Sequence, residues 1–123
     1  MEKQEIREYK ASLPLESRRQ ACDQALRSHP GHTPVIVLKS KGSKFRWQSQ
    51  KFILPSYMPI GTVLYALRKS LRLGKTQGLF IFLDEMLPHL DAKVGDLHQR
   101  FQAEDGFLYL VAAQDADKGC TLS

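Results

Sequence analysis

The sequence has little of what membrane-spanning chains and most enzymes depend on. Its unbroken apolar runs, such as Leu79-Phe80-Ile81-Phe82-Leu83, fall far short of the roughly 20 residues a bilayer-spanning helix needs. Cysteine occurs only at Cys22 and Cys120, with no CxxC pair and no leader-like apolar segment, so a reduced, cytosolic protein without disulfides is expected. The four histidines, His29, His32, His89 and His98, fall in separate segments without HxxxH or Cys/His ligand spacing, and neither a metal nor any other cofactor is expected. No GxSxG motif occurs, and neither cysteine stands in a pattern that would activate a thiolate. Gly74-Lys75-Thr76 has the end of a phosphate-binding loop, but Lys69 occupies the place of the earlier glycine and the segment leaves a helix rather than a strand. These absences predict that the protein is not an enzyme.

What is present is a moderately basic chain of 123 residues, with a formal net charge of +5 and an isoelectric point near 9.4. That length fits one domain burying about two thirds of the surface its unfolded chain exposes. The charge favours acidic partners without choosing among them. Lys41, Lys44, Arg46, Trp47 and Lys51 place basic groups around the single tryptophan, a composition that can bind single-stranded nucleic acid by phosphate contact and stacking or can simply form a solvated loop. With no recognised RNA- or DNA-binding motif, no nucleic-acid partner is expected.

Periodicity orders the elements. Residues 3–11 form a short charged helix ahead of Pro14, and Leu15, Arg18, Cys22, Ala25 and Leu26 then recur at helical spacing as far as Pro30-Gly31. Val35-Ile36-Val37-Leu38, Leu79–Leu83 and Phe107–Val111 are apolar without alternation, which predicts strands buried on both faces of a helix-covered sheet. Phe52-Ile53-Leu54, stopped by Pro55, suits an edge. Ile60, Val63, Leu64, Leu67 and Leu71 trace a helix that Gly74 is expected to terminate, and Val94, Leu97, His98 and Phe101 trace a short last one. Without its first two helices, this order is the strand–strand–helix–strand–strand plan of a ubiquitin-like β-grasp. The fold expected is α+β, a four-stranded mixed sheet with two extra N-terminal helices. The expected divisions are a helical extension at 1–28, the β-grasp core at 29–113 and a C-terminal tail at 114–123.

The tail carries Gly119, followed by Cys120-Thr121-Leu122-Ser123. Cleavage between Gly119 and Cys120 would expose a carboxylate with no Cβ beside it, on backbone able to enter a narrow enzyme channel and form a thioester and then an amide. A tail glycine is also what a plain flexible linker contains.

Several segments, in order and over residues 13–119, resemble the autophagy ubiquitin-like modifier family (the Atg-eight, GABARAP and light-chain-three proteins). They are Leu15-Glu16-Ser17-Arg18-Arg19, His29-Pro30 with Pro34-Val35-Ile36-Val37, Lys51-Phe52-Ile53-Leu54-Pro55, Arg68-Lys69 with Leu71 and Leu73, Leu79-Phe80-Ile81-Phe82 with Leu87-Pro88, and Glu104-Asp105-Gly106-Phe107-Leu108-Tyr109. The resemblance implies a protein processed by a cysteine protease after Gly119, passed through E1-like and E2-like conjugation enzymes, and joined to phosphatidylethanolamine. It would then be cytoplasmic until conjugated and attached to the autophagosome membrane afterwards. A binding-only paralogue that is never lipidated, associated through its basic N-terminal helices with microtubules and hence tubulin, is the alternative.

The resemblance also implies a groove that takes aromatic-x-x-aliphatic motifs of cargo receptors as an added strand beside Lys51–Leu54, the mode of β-augmentation. By family position the first pocket falls on Ala21, Ala25, Pro34, Ile36, Lys51, Ile53 and Phe107. The second falls on Phe52, Leu54, Pro55, Met58, Val63 and Leu67, of which Val63 and Leu67 are equally accounted for as helix core. Three departures stand out. Ala21 and Ala25 replace an acidic residue and a larger aliphatic, so a roomier first pocket favouring tryptophan is expected. Ser49 and Ser70 replace residues often basic in the family. Lys118 precedes Gly119 where relatives carry the aromatic that the processing protease grips.

Overall fold

The computed structural model describes residues 3–43, 50–74 and 76–114. The chain runs α1 (Gln4–Ala11), α2 (Leu15–Ser28), β1 (His32–Lys39), β2 (Gln50–Pro55), α3 (Ile60–Ser70), β3 (Phe80–Phe82), α4 (Val94–Phe101) and β4 (Leu108–Ala113). The sheet order is β2-β1-β4-β3. β1 pairs antiparallel with β2 and parallel with β4, and β3 pairs antiparallel with β4. This is the mixed sheet of a β-grasp, as the element order predicts.

Both central strands are buried on two faces because alternate residues serve different cores. Val35 and Val37 of β1, with Leu108, Leu110 and Ala112 of β4, pack beneath Ile60, Val63 and Leu67 of α3 and Val94 and Leu97 of α4. Ile36 and Leu38, with Tyr109, Val111 and Ala113, face the opposite way onto Ile6 of α1 and Cys22 of α2. The period-two geometry of a strand thus turns an unbroken apolar run into two half-cores. Pro34 lies one residue before the parallel ladder with β4 begins at Val35, so its missing N–H falls outside that ladder.

The helix boundaries have local causes. Extended Pro14 caps α2, its carbonyl accepting the Arg18 N–H at 3.1 Å. The first N–H groups of α3 are satisfied from the loop before α4, Ile60 by the Ala92 carbonyl at 2.8 Å and Gly61 by that of Leu90 at 2.9 Å. The stop of α3 differs from the sequence expectation. Arg72, not Gly74, takes the left-handed conformation at φ +56°. Its N–H donates to the Lys69 carbonyl at 3.1 Å, and that of Leu73 to the Arg68 carbonyl at 3.1 Å, the paired bonds of a Schellman motif. Gly74 lies beyond it in a turn held by Arg68, whose guanidinium donates to the carbonyls of Gly74 at 2.8 Å and Gln77 at 2.6 Å. Leu71 and Leu73 are drawn into the core on either side of Arg72. That apolar pull fixes the turn one residue pair earlier than the glycine would.

Candidate functional site

Among the described residues β2 is at the sheet edge, paired only with β1. An edge strand presents a row of unpaired backbone N–H and C=O groups, a template for one more strand. Its side chains alternate, so that Lys51 and Ile53 lie toward α2 and Phe52 and Leu54 toward the α3 core. Ile53, at 39% exposure, is among the more exposed large apolar residues of the protein.

Beside this edge opens a cavity of about 300 Å³, lined by Ala21 and Ala25 of α2, Lys51 and Ile53 of β2, and Phe107. Five of the seven residues predicted for the first pocket therefore come together around one space. Pro34 and Ile36 are fully buried one strand inward, directly across from Ile53 and Lys51 in the β1–β2 register, where they support the lining from behind. Phe52, predicted for the second pocket, borders this cavity too. Sequence reasoning missed Gln24, Ser28 and His29, which complete the wall. The signal was available, since residues 21, 24, 25 and 28 occupy one face of a helix.

The second predicted group gathers on the other side of β2. Phe52, Leu54 and Met58 are half-buried against the cluster that contains Val63 and Leu67. The latter two are 4% and 5% exposed and act as core. Pro55 ends the strand opposite His32.

Phe107 is held in place by a buried polar network. Arg18 of α2 donates from Nη1 to Asp105 Oδ2 at 2.6 Å, and both side chains are almost completely buried. The Tyr109 hydroxyl also donates to Asp105 Oδ2, while Asp105 Oδ1 accepts the Phe107 N–H at 2.9 Å. Arg18 Nε reaches the Leu13 carbonyl at 3.1 Å. Burial is the strongest single influence and works against the charge on Arg18, but the bonds to Asp105 and Tyr109 and their charges together outweigh it and raise the guanidinium above its ordinary value. Burial first, and the bond to the Asp105 carboxylate second, push the Tyr109 hydroxyl well up, so it remains a donor. The next residue, Gly106, turns at φ +94°, and a Cβ there would meet Cys22 Sγ at 2.6 Å. Glycine is thus required twice, by conformation and by the close approach of α2. His98 Nε2 donates to the Gly106 carbonyl at 2.6 Å from the α4 side.

Gly119 and Cys120, the predicted cleavage and conjugation positions, lie outside the described residues, as do Lys44, Arg46, Trp47, Ser49 and Lys118. Of the basic group around the tryptophan, Lys41 pairs with Glu8 at 2.9 Å and Lys51 lines the cavity. Glu8, an exposed carboxylate, is lowered chiefly by that bond to Lys41. Among the described residues no helix is long and apolar enough to cross a membrane.

Comparison with known proteins agrees with the β-grasp fold. The family described as "Autophagy protein Atg8 ubiquitin like" matches residues 17–119. Autophagy-related protein 8 of Schizosaccharomyces pombe is 30% identical over 104 residues, covering 84% of this chain and 86% of the relative. Autophagy-related protein 8D of Oryza sativa subsp. japonica is 31% identical over 115 residues, covering 92% and 98%. The crystal structure of Trypanosoma brucei ATG8 superposes with a TM-score of 0.78 at 29% identity, covering 85% of this chain and 91% of that one. With a family match over most of its length and relatives of this identity and coverage, the chain belongs to the Atg8 family of ubiquitin-like autophagy proteins.

Proposed function

We propose that this protein is a ubiquitin-like modifier, rather than an enzyme, that joins membranes to peptide motifs. A protease hydrolyses the Gly119–Cys120 peptide bond. The freed carboxylate is adenylated at the expense of ATP and passed to carrier cysteines as a thioester. The amine of phosphatidylethanolamine then displaces the last thiolate to form an amide. The two acyl chains of that lipid suffice for stable attachment, where one would bind only reversibly. Conjugation enzymes and cargo receptors are the partners this reading requires. The family match extending as far as residue 119 supports it.

The single observation that carries the adaptor half is the free edge of β2 beside the cavity formed by Ala21, Ala25, Lys51, Ile53 and Phe107. An aromatic-x-x-aliphatic peptide adds as a strand along Lys51–Leu54, sets its aromatic anchor in the cavity, and lays its aliphatic anchor against Phe52, Leu54, Pro55 and Met58. Titration of such a peptide into the wild type should give micromolar binding, and Ile53→Asp should abolish it in a protein that still melts cooperatively. Unchanged affinity in the folded variant refutes the groove. For the tail, Gly119→Ala should leave the protein diffuse in cells with active conjugation enzymes, whereas a chain ending at Gly119 should still reach membranes. Lys118 before Gly119 favours the binding-only alternative, in which the wild type keeps its full intact mass in its native cell.

A further inference from the structure

The wall that α2 gives to the cavity is of mixed character. Ala21, Gln24, Ala25 and Ser28 all line it, and their spacing of three, four and seven residues stacks them on one helix face. The alanines supply space. Gln24 and Ser28 supply polar groups, and neither side chain has a hydrogen-bond partner among the described residues. Facing them are Ile53, Phe107 and Lys51, whose methylene stem can cover apolar surface while its ammonium stays in water.

An occupant suited to such a space is a flat apolar body with a hydrogen-bonding group on one edge. A plain hydrocarbon ring fills the apolar side but makes no hydrogen bond with Gln24, which is exposed at the rim. Indole satisfies both sides, since its only polar group is one N–H donor at the rim of a large planar ring. Ser28 also lines the wall, but its side chain is shorter than that of Gln24. Gln24, at the flank of this face beside the two alanines, has the longer side chain of the two polar residues.

We propose that Gln24 selects the anchor: its side-chain carbonyl accepts the indole N–H, so that the site distinguishes tryptophan from aromatic anchors of equal size that lack this donor. The inference rests on the groove reading above and goes beyond it, because volume alone would not separate two anchors of the same shape.

The test uses two peptides that differ at one atom group, one with tryptophan and one with 3-benzothienylalanine, in which sulfur replaces the indole N–H. The wild type should bind the tryptophan peptide about three- to tenfold more tightly, the effect of one neutral hydrogen bond. Gln24→Leu should bind the two equally, and Gln24→Glu should keep the preference. Binding of both peptides equally by the wild type overturns the role of Gln24 and leaves the groove intact. A preference that persists in Gln24→Leu does the same. Failure of the wild type to bind either peptide removes the groove and this inference together.

Discussion

Asp105→Asn removes one charge from the buried network and replaces Oδ2, the acceptor for both Arg18 and the Tyr109 hydroxyl, with an NH2 donor. The side chain keeps its shape, and Oδ1 can still accept the Phe107 N–H now held at 2.9 Å. Arg18, only 8% exposed, is left as a buried cation whose partner at 2.6 Å has become neutral. Breaking a buried pair from one side costs about 3–5 kcal/mol, because the remaining charge is neither solvated nor compensated. A domain of this length has a total stability of about 6–18 kcal/mol. With roughly 4 °C of melting temperature per kcal/mol at this size, the variant should melt about 12–20 °C below wild type. Thermal unfolding followed by circular dichroism at pH 7 measures it. Adding Arg18→Leu should restore at least half of the loss, since it removes the stranded cation. A melting temperature within 3 °C of wild type for Asp105→Asn, or additive losses in the double variant, would refute the assignment of the pair as a coupled buried unit.

Three further outcomes follow from the turns and from Cys22. Arg72→Gly should raise stability by about 1 kcal/mol, read as a shift in urea midpoint without a change in slope, because a left-handed residue at φ +56° no longer carries a Cβ. Gly106→Ala should lower it by at least about 2 kcal/mol, from the positive φ and the 2.6 Å approach to Cys22 Sγ; Cys22→Ala in the same chain should recover the steric part, so the two changes are less damaging together than their sum. Burial, followed by the charge of Asp105, pushes the Cys22 thiol up to about 11 from an ordinary 9.0. The unfolded chain then loses this proton before the folded one does, so stability must fall as pH rises from 9 to 11. Denaturant midpoints across that range should show the decline, and Cys22→Ala should lessen it, most clearly below pH 10 where Tyr109 contributes least; an equal decline in the variant would exclude the thiol as its source.

The fold was legible because its signals were redundant. The two-sided apolar runs of β1 and β4 demanded a sheet covered on both faces, and Pro55 after a short strand placed β2 at an edge. What escaped was chosen by tertiary contact. Gly74 is the conventional helix stop, yet the burial of Leu71 and Leu73 moved the left-handed turn to Arg72. Arg18 reads as an ordinary residue of a charged helix, and only its partner 87 positions later makes it part of the core. Around the cavity, family position located Ala21, Ala25, Lys51, Ile53 and Phe107, but gave no reason to notice Gln24, Ser28 and His29. Polar residues on a helix face suggest solvent until the neighbouring strand is known.

The Gln114 N–H donates to Ser43 Oγ at 3.0 Å, and that bond fastens the end of β4 to the turn after β1. Gly119 follows five residues later. Fully extended, such a segment reaches no more than about 18 Å, comparable to the roughly 14 Å radius of gyration of a domain this size. Once joined to a lipid through Gly119, the domain could not stand off as a ball on a long string. On the conjugation proposed above, the end of β4 would stay within that reach of the attachment point, and a cargo receptor paired with β2 would be held near the membrane surface.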